Sequence, residues 1–270
     1  MTKVVILDAK ERMCAHVIGP TGAEHRRLAN KVMEEALKQA NLAFNEISYV
    51  LATGYGRINV PFADSQKTEL TCHARGIASF FPDASAAIDI GGQDAKGLKI
   101  KNGKLVDFVM NDRCAAGTGR FLEILGKTLD LKVEELGAIS KGAVNKIPVS
   151  STCTVFAEHE VMSYLSRGAA LADIVAGLHD AIASRVVKMI KRLEIKSAVV
   201  FTGGVAKNAG VVDSLKESLG VPVLVPEDPL LTGAIGAALL GKEIIVGAMD
   251  NENQVQRKER RLERATLFSE

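Results

Sequence analysis

Two cysteines stand where an extended, glycine- or hydroxyl-rich stretch gives way to the apolar pattern of a helix. Cys114 lies in residues 111–119 (Asn-Asp-Arg-Cys-Ala-Ala-Gly-Thr-Gly), and Cys153 lies in residues 150–157 (Ser-Ser-Thr-Cys-Thr-Val-Phe-Ala). We therefore expect both sulfurs at helix N-termini. The unpaired N–H groups and the positive end of a helix stabilise a thiolate or an anionic metal cluster. The placement indicates metal or redox chemistry.

A four-iron cluster normally takes four thiolates, so two ligands from one chain cannot complete it. Two copies of the chain sharing one cluster on a two-fold axis would supply four. The residues alone leave a second interpretation open, because a free cysteine at the start of a helix is commonly a small packing residue. The four cysteines are scattered along the chain, and no Cys-x-x-Cys pair occurs.

Two glycine-containing loops follow predicted strands, at residues 89–94 (Asp-Ile-Gly-Gly-Gln-Asp) and 202–205 (Thr-Gly-Gly-Val). Glycine lets backbone N–H groups approach phosphate without a Cβ clash. The first loop joins two antiparallel strands, unlike a P-loop or a dinucleotide fingerprint, which opens a helix. A hairpin loop with a carboxylate at its base can hold a metal-bound triphosphate, and the second loop could seat a nucleoside. Taken singly, each loop is more simply a tight turn.

The elements that position these residues alternate between short apolar strands and helical patterns, which favours an α/β fold. Strands are predicted at residues 86–90, 95–101, 105–110, 197–201 and 221–225, and helices at about 119–129, 154–165, 171–192 and 208–219. Asn102-Gly103 between two alternating runs predicts a hairpin. A further helix containing residues 233–238 has a small-residue face that suits close helix packing.

The composition is typical of an intracellular globular protein, with 270 residues, 47% hydrophobic, 24% charged and a formal net charge of +2. Such a chain can bury one large core or two modest ones. No apolar run reaches the roughly 20 residues of a membrane span, and the amino terminus lacks the layout of a signal peptide. We expect a cytoplasmic protein that binds neither membrane nor nucleic acid. The basic stretch at residues 257–261 is interleaved with glutamate and is interpreted as the solvated face of a terminal helix.

Residues 3–11 match residues 96–104 in their order of strand, turn and strand, which indicates an internal repeat. In the second copy these strands are preceded by a strand and a glycine loop, whereas in the first copy the chain begins here, so about nine residues that the repeat predicts are missing. We predict a first lobe at 1–84, a second lobe at 85–242 that carries both cysteine segments, and a charged helical tail at 243–270.

Five segments carry a resemblance to a known family, and they occur in the family's order: residues 52–57, 89–94, 110–122, 150–158 and 202–206. Together they resemble the ATP-dependent activators of 2-hydroxyacyl-CoA dehydratases, a family that also includes the ATPase subunits of benzoyl-CoA reductase. The resemblance runs from about Lys3 to Gly241. It implies two duplicated ribonuclease-H-like lobes, as in the superfamily of actin, sugar kinases and heat-shock chaperones, with the first lobe here lacking its first strand and phosphate loop.

The resemblance also implies a homodimer with one 4Fe-4S cluster, held by Cys114 and Cys153 of each chain. It implies ATP hydrolysis coupled to transfer of one electron to an acyl-CoA dehydratase or reductase component, with a ferredoxin or flavodoxin as electron donor. Asp89 or Gln93 would orient the Mg²⁺-bound water or phosphate. The implied contacts to ATP or ADP are Gly91, Gly92, Gly203, Gly204, Val205 and Gly233, the last on a helix between the lobes. Cys14 and Cys72 match no ligand position and are expected in the core.

The main departure from the family is the missing first phosphate loop, which supplies an acidic residue near the metal. Asp8 falls at a hairpin turn in the repeat and cannot replace it. A truncated sequence, a misassigned start codon and genuine loss of the loop all stay open as explanations. If the loop is truly absent, we expect weak ATP turnover, while dimerisation and cluster assembly could survive. Two alternatives stay open: a permanent ATPase subunit of a benzoyl-CoA reductase, and a small-molecule kinase of the same fold. The cysteine motifs argue against the kinase, because phosphotransfer does not need them.

Overall fold

The computed structural model describes residues 1–22 and 24–250, together with Arg260 and Leu262. The chain forms two compact units, one made of Met1–Pro82 and the chain from Leu231, the other of Asp83–Leu230. The predicted division between lobes at residue 85 is close to Asp83. The predicted end of the second lobe at residue 242 differs from Leu230, and most of the predicted tail at 243–270 lies outside the described residues.

The first unit starts with an antiparallel pair of strands, followed by a helix, a short parallel pair of strands and a second helix. Its elements are β1 (Thr2–Leu7), β2 (Met13–Gly19), α1 (His25–Ala40), β3 (Leu51–Ala52), β4 (Ser65–Gln66) and α2 (Glu69–Phe80). In the turn between β1 and β2, Asp8 accepts hydrogen bonds from the N–H groups of Lys10 and Arg12 at 2.8 and 2.9 Å. The prediction that Asp8 belongs to a hairpin turn is confirmed.

Two side chains of this unit differ from their predicted environments. The prediction that Cys14 is a core residue is wrong: Cys14 is exposed, because successive strand residues face opposite sides and β2 buries Ala15 instead. Cys72 is buried, as predicted. Arg260, in the stretch predicted to be solvated, is only 10% exposed, and its guanidinium donates to Asp64 Oδ2 at 2.9 Å and to the Ile47 carbonyl at 2.6 Å.

The second unit is built on a five-stranded sheet. Its strands are β5 (Ala86–Ile90), β6 (Ala95–Lys101), β7 (Lys104–Asn111), β8 (Val199–Thr202) and β9 (Val223–Leu224). They lie in the order β7-β6-β5-β8-β9, with β5 antiparallel to β6 and parallel to β8. Asn102 and Gly103 both have positive φ, 52° and 71°, as a tight hairpin turn requires. The predicted hairpin is therefore confirmed.

Five helices belong to this unit: α3 (Gly119–Thr128), α4 (Val133–Ile139), α5 (Thr154–Ser166), α6 (Leu171–Ile190) and α7 (Ala209–Leu219). The sequence predicted all of them except α4. Apolar residues of α6 recur every three or four positions and lie in one core with Phe121 of α3 and Phe201 of β8. This core fixes the backbone of α6 against the sheet.

The last helix, α8 (Thr232–Asp250), packs against α2 in the first unit. A Cβ at Gly76 would lie 1.9 Å from the carbonyl oxygen of Thr232, and a Cβ at Gly236 would lie 1.7 Å from that of Cys72. The small-residue face that the sequence shows therefore serves close packing on α2, which is why α8 joins the first unit. No helix in the described part of the chain, α8 included, is long and apolar enough to cross a lipid bilayer.

Candidate functional site

The glycine loop between β5 and β6 is bonded to the start of α3. The N–H of Gly119 donates to the carbonyl of Gly91 at 2.8 Å, and the N–H of Arg120 donates to that of Gly92 at 2.9 Å. Two of the amides that a helix leaves without intrahelical partners are thus used to hold the loop. A Cβ at Gly119 would lie 3.0 Å from the Gly91 oxygen, so a larger residue there would displace the loop.

The second glycine loop lies beside the first. Gly203 has φ of 88°, and a Cβ there would lie 2.3 Å from the carbonyl oxygen of Ile90, at the end of β5. The side chain of Val205 lies 3.3 Å from the Cβ position of Gly119. The structure therefore brings both loops together at the carboxyl ends of the parallel strands β5 and β8, where α/β sheets bind their ligands.

The tip of the first loop carries amides that no protein group uses. Within the described chain, the N–H groups of Gly92 and Gln93 have no hydrogen-bond acceptor, and both residues are exposed. The N–H of Gly91, in contrast, closes the turn by donating to the carbonyl of Asp94 at 2.9 Å. Unused amides in a glycine turn can bind phosphate oxygens.

Buried charges lie at the base of this loop. Lys96 Nζ lies 2.6 Å from Asp94 Oδ2 and 3.7 Å from Asp89 Oδ2, and Thr202 Oγ1 donates to Asp89 Oδ1 at 2.9 Å. The three charged residues are 4%, 7% and 5% exposed, in the order Lys96, Asp94, Asp89. Sequence reasoning assigned no role to Lys96, and it treated Thr202 only as the first residue of the second glycine loop. The strand has exposed lysines at 99 and 101, and Lys96 is the buried one. The available signal was its position directly between the small apolar residues Ala95 and Gly97.

This cluster fits a magnesium–phosphate site better than a protein-only metal site. No group of three or more His, Cys, Asp or Glu side chains that could hold a metal ion occurs in the part of the chain that the structure describes. Mg²⁺ commonly takes one or two carboxylates and completes its shell with water and substrate phosphates. Asp89 and Asp94 meet that requirement beside the loop.

Cys114 does not lie at a helix N-terminus, and that prediction is wrong. α3 begins at Gly119, five residues further on. The intervening chain turns back, with the N–H of Thr118 donating to the carbonyl of Ala115 at 3.0 Å and with Gly117 at φ 85°. The left-handed conformation at Gly117 makes this turn possible, and it separates the thiol from the helix.

Side chains hold the Cys114 segment in place and connect it to the glycine loop. Asn111 Nδ2 donates to the carbonyl of Cys114 at 3.1 Å and to that of Ala116 at 3.0 Å. The buried hydroxyl of Thr118 donates to the carbonyl of Ala115 at 2.8 Å and lies 3.4 Å from that of Gly92. A shift of the loop is therefore transmitted to the residues that follow Cys114.

Cys153 occupies the position predicted for it, as the extended residue that caps the N-terminus of α5. Cys114 and Cys153 are both free and partly exposed, and they lie in the same unit. Two accessible thiols fit a cluster whose remaining ligands come from another chain. Directly after Cys153, α5 exposes Val155, Phe156 and Met162.

Gly233 belongs to the first unit, with α8, whereas the other predicted cofactor contacts belong to the second unit. A Cβ at Gly233 would lie 2.9 Å from His73 Nε2, and His73 Nδ1 lies 3.1 Å from the hydroxyl of Thr232. Within its own unit, Gly233 serves the packing of α8 on α2.

The second unit has an antiparallel hairpin that leads into parallel strands, with a glycine loop at the first turn. That arrangement is the ribonuclease-H-like fold of the actin and sugar-kinase class of ATPases, so the predicted fold class is confirmed. The chain belongs to the BadF/BadG/BcrA/BcrD ATPase family, whose model matches residues 1–241.

Similar proteins are dehydratase activators. The 2-hydroxyisocaproyl-CoA dehydratase activator of Clostridioides difficile is 49% identical over 211 residues, covering 78% of this chain and 79% of the relative. The crystal structure of the Acidaminococcus fermentans (R)-2-hydroxyglutaryl-CoA dehydratase component A has a TM-score of 0.86 at 41% identity, covering 90% of this chain and 94% of the other. The activator of the 2-hydroxyisocaproyl-CoA dehydratase from Clostridium difficile, with bound ADPNP, has a TM-score of 0.85 at 44% identity, covering 92% of both chains.

Proposed function

We propose that this protein is an ATP-dependent one-electron-transfer activator of a 2-hydroxyacyl-CoA dehydratase. The observation that carries the proposal is the connection between a phosphate-type glycine loop and a segment with an accessible thiol, through Thr118 and the start of α3. The similarity to dehydratase activators supports the class of partner. The electron donor would be a ferredoxin or flavodoxin, and the protein would act in the cytoplasm.

Each of the two glycine loops in the second unit would bind a different part of the nucleotide. The free amides of Gly92 and Gln93 bind phosphate oxygens, while Gly203, Gly204 and Val205 contact the adenosine of ATP or ADP. Asp89 would hold Mg²⁺, and Thr202 holds the Asp89 carboxylate in one orientation. Gln93, exposed at the loop tip, orients the attacking water.

Cys114 and Cys153 of two identical chains would hold one 4Fe-4S cluster, which when bound supplies a one-electron carrier. The chemistry of the donor set supports this, since each chain offers two free, partly exposed thiols. The exposed apolar side chains of α5 beside Cys153 support a second copy of the chain at this surface, because such groups are stabilised when a partner covers them.

Hydrogen bonds between the glycine loop and α3 would couple the nucleotide to the Cys114 segment. The carbonyls of Gly91 and Gly92 accept from the amides of Gly119 and Arg120, so a loop that tightens on phosphate pulls on α3. Thr118 bonds the Cys114 segment to the same loop. Nucleotide state would thus be passed to the surroundings of Cys114.

Native mass spectrometry of protein purified without oxygen tests the proposal by counting chains, iron and sulfide. We expect a dimer with four irons and four sulfides, as four thiolate ligands require. Cys153→Ser should lose the iron, whereas Cys14→Ser, a matched control at an exposed thiol, should keep it. An iron-free monomer that persists after anaerobic reconstitution contradicts the proposal. Co-purification with large reductase subunits would instead indicate a benzoyl-CoA reductase component.

A further inference from the structure

Arg185, on α6, reaches the backbone that directly precedes Cys153. Its Nη1 atom donates to the carbonyl of Ser151 at 3.3 Å and to the carbonyl of Thr152 at 3.4 Å. Nη1 carries two N–H groups, and both bonds are at the long end of the usual range. These carbonyls are the last two before Cys153, so the guanidinium constrains the direction in which the chain enters that residue.

The same side chain packs against the Cys114 segment. A Cβ at Gly117, three residues after Cys114, would lie 2.7 Å from Arg185 Cγ and 3.4 Å from its Cβ. The aliphatic stem of Arg185 therefore rests on the backbone of Gly117. One side chain thus contacts both cysteine segments, although they are far apart in sequence.

A second basic residue lies beside Arg185. Gly117 and Arg185 line a pocket of about 310 Å³ together with Asn111, Lys188 and Met189. Across the described residues, neither Arg185 nor Lys188 forms an ion pair with a carboxylate, as the ion pairs of the chain involve other side chains. The Arg185 guanidinium is therefore not paired with a carboxylate among the described residues.

We propose that Arg185 is a positioning residue for the iron–sulfur cluster. It holds the Cys114 and Cys153 segments in fixed positions relative to each other, and its charge raises the reduction potential of the cluster. The inference rests on the proposed function, since it concerns the same two thiols. Potentials of such clusters depend on nearby charge and on hydrogen bonds around the ligands. Outer partners that orient ligands commonly change metal affinity by about 10–100-fold when removed.

The test uses the full chain, reconstituted anaerobically, as wild type, Arg185→Met and Arg185→Lys. Methionine keeps much of the packing on Gly117 but removes the charge and the donors. We expect Arg185→Met to release iron to a chelator about tenfold faster or more, and to show a lower midpoint potential in a titration followed by electron paramagnetic resonance. Arg185→Lys keeps the charge, so its potential should lie closer to wild type while its iron release is still accelerated.

Arg192→Met is the matched control. Arg192 follows the same helix, and its guanidinium donates to the carbonyl of Phe108, which lies outside both cysteine segments. It should match wild type in potential and iron release. Wild-type values for both Arg185 variants would overturn the inference and leave the proposed function intact, whereas a wild-type chain that binds no iron would overturn both. If Arg185→Met does not fold, Arg185→Lys still decides through its rate of iron release.

Discussion

Lys96 brings a positive charge into the interior of the second unit. A buried charge costs several kcal/mol unless a partner and hydrogen bonds compensate it. Here the partners are Asp94 at 2.6 Å and Asp89 at 3.7 Å. Without the ammonium group, two buried carboxylates would face each other at low dielectric. At the scale of single residues, Lys96 therefore supports both the glycine loop and the folded state.

We expect Lys96→Met to lower the free energy of unfolding by about 3–5 kcal/mol, the usual effect of leaving a buried charge without its partner. Urea titration followed by circular dichroism measures it. Lys99→Met, at an exposed position of the same strand, should change stability by no more than about 0.5 kcal/mol. Equal effects of the two substitutions would contradict this account.

His179 is a second buried polar residue, only 1% exposed on α6. The amide of Asn208 accepts from the N–H of Val211 through Oδ1, so its Nδ2 donates to His179 Nε2 at 3.2 Å. Among the described groups, His179 Nδ1 has no partner. Burial lowers the pKa of His179 from 6.5 to about 4, with the nearby Asp180 opposing and Lys146 adding to the decrease.

This lowered pKa predicts a loss of stability in acid. Below about pH 6.5 the unfolded chain binds a proton at this histidine, and the folded chain does not until about pH 4. The contribution of the neutral histidine is thus present above pH 6.5 and falls by about 3 kcal/mol as the pH approaches 4. We expect His179→Gln to flatten the dependence of unfolding free energy on pH across this range. An unchanged slope in urea titrations at several pH values would refute the assignment.

At the scale of elements, the contact between α2 and α8 depends on glycine. The carbonyl of Cys72 lies so close to Gly236 that a methyl group would overlap it at 1.7 Å, and backbone cannot move aside as a flexible side chain can. Side chains larger than hydrogen would force the helices apart along their contact. The first unit therefore relies on backbone-to-backbone packing of two helices.

We expect Gly236→Ala to destabilise the protein by about 1–3 kcal/mol or more, because over-packing shifts the backbone. Gly247→Ala is the control on the same helix, where an added Cβ meets nothing within 4 Å. That change should be neutral or stabilise by about 0.5–1 kcal/mol, since alanine is the better helix former. Thermal unfolding of the two variants compares them, and a destabilised Gly247→Ala would contradict the contact-based explanation.

At the scale of the whole molecule, the exposed apolar side chains of α5 bear on assembly. Phe156 is 61% exposed, and it lies three residues after Cys153. If two chains meet there to share a cluster, a charge at this position would be buried in the interface without a partner. Dimer formation and iron binding should then fail together.

We expect Phe156→Glu to be monomeric by light scattering after size-exclusion chromatography, and to retain little iron after reconstitution. Val144→Glu replaces a more exposed apolar residue, at 86%, that does not lie on α5. It should remain a dimer with full iron content. A dimeric, iron-loaded Phe156→Glu would show that α5 does not form the interface.

Local signals predicted much of the second unit. The Asn102-Gly103 turn, the strands around it and the long helix α6 follow from turn chemistry and periodicity, which act over a few residues. The position of Cys114 did not follow, since the turn at Gly117 depends on a positive φ that the motif alone does not reveal. The partners of Lys96 and Arg185 were also missed, because hydrogen bonds and ion pairs between distant segments leave no periodic pattern in the sequence.

The placement of α8 has a consequence for the order of events on the ribosome. Asp83–Leu230 is one continuous stretch and can complete its fold once it has emerged, as domains generally fold as units. The first unit needs Thr232 and Gly236 before α2 can bury the face that carries Gly76. The segment Met1–Pro82 is therefore synthesised before Asp83–Leu230 but completes its packing after it, and it depends on protection from aggregation until α8 has emerged.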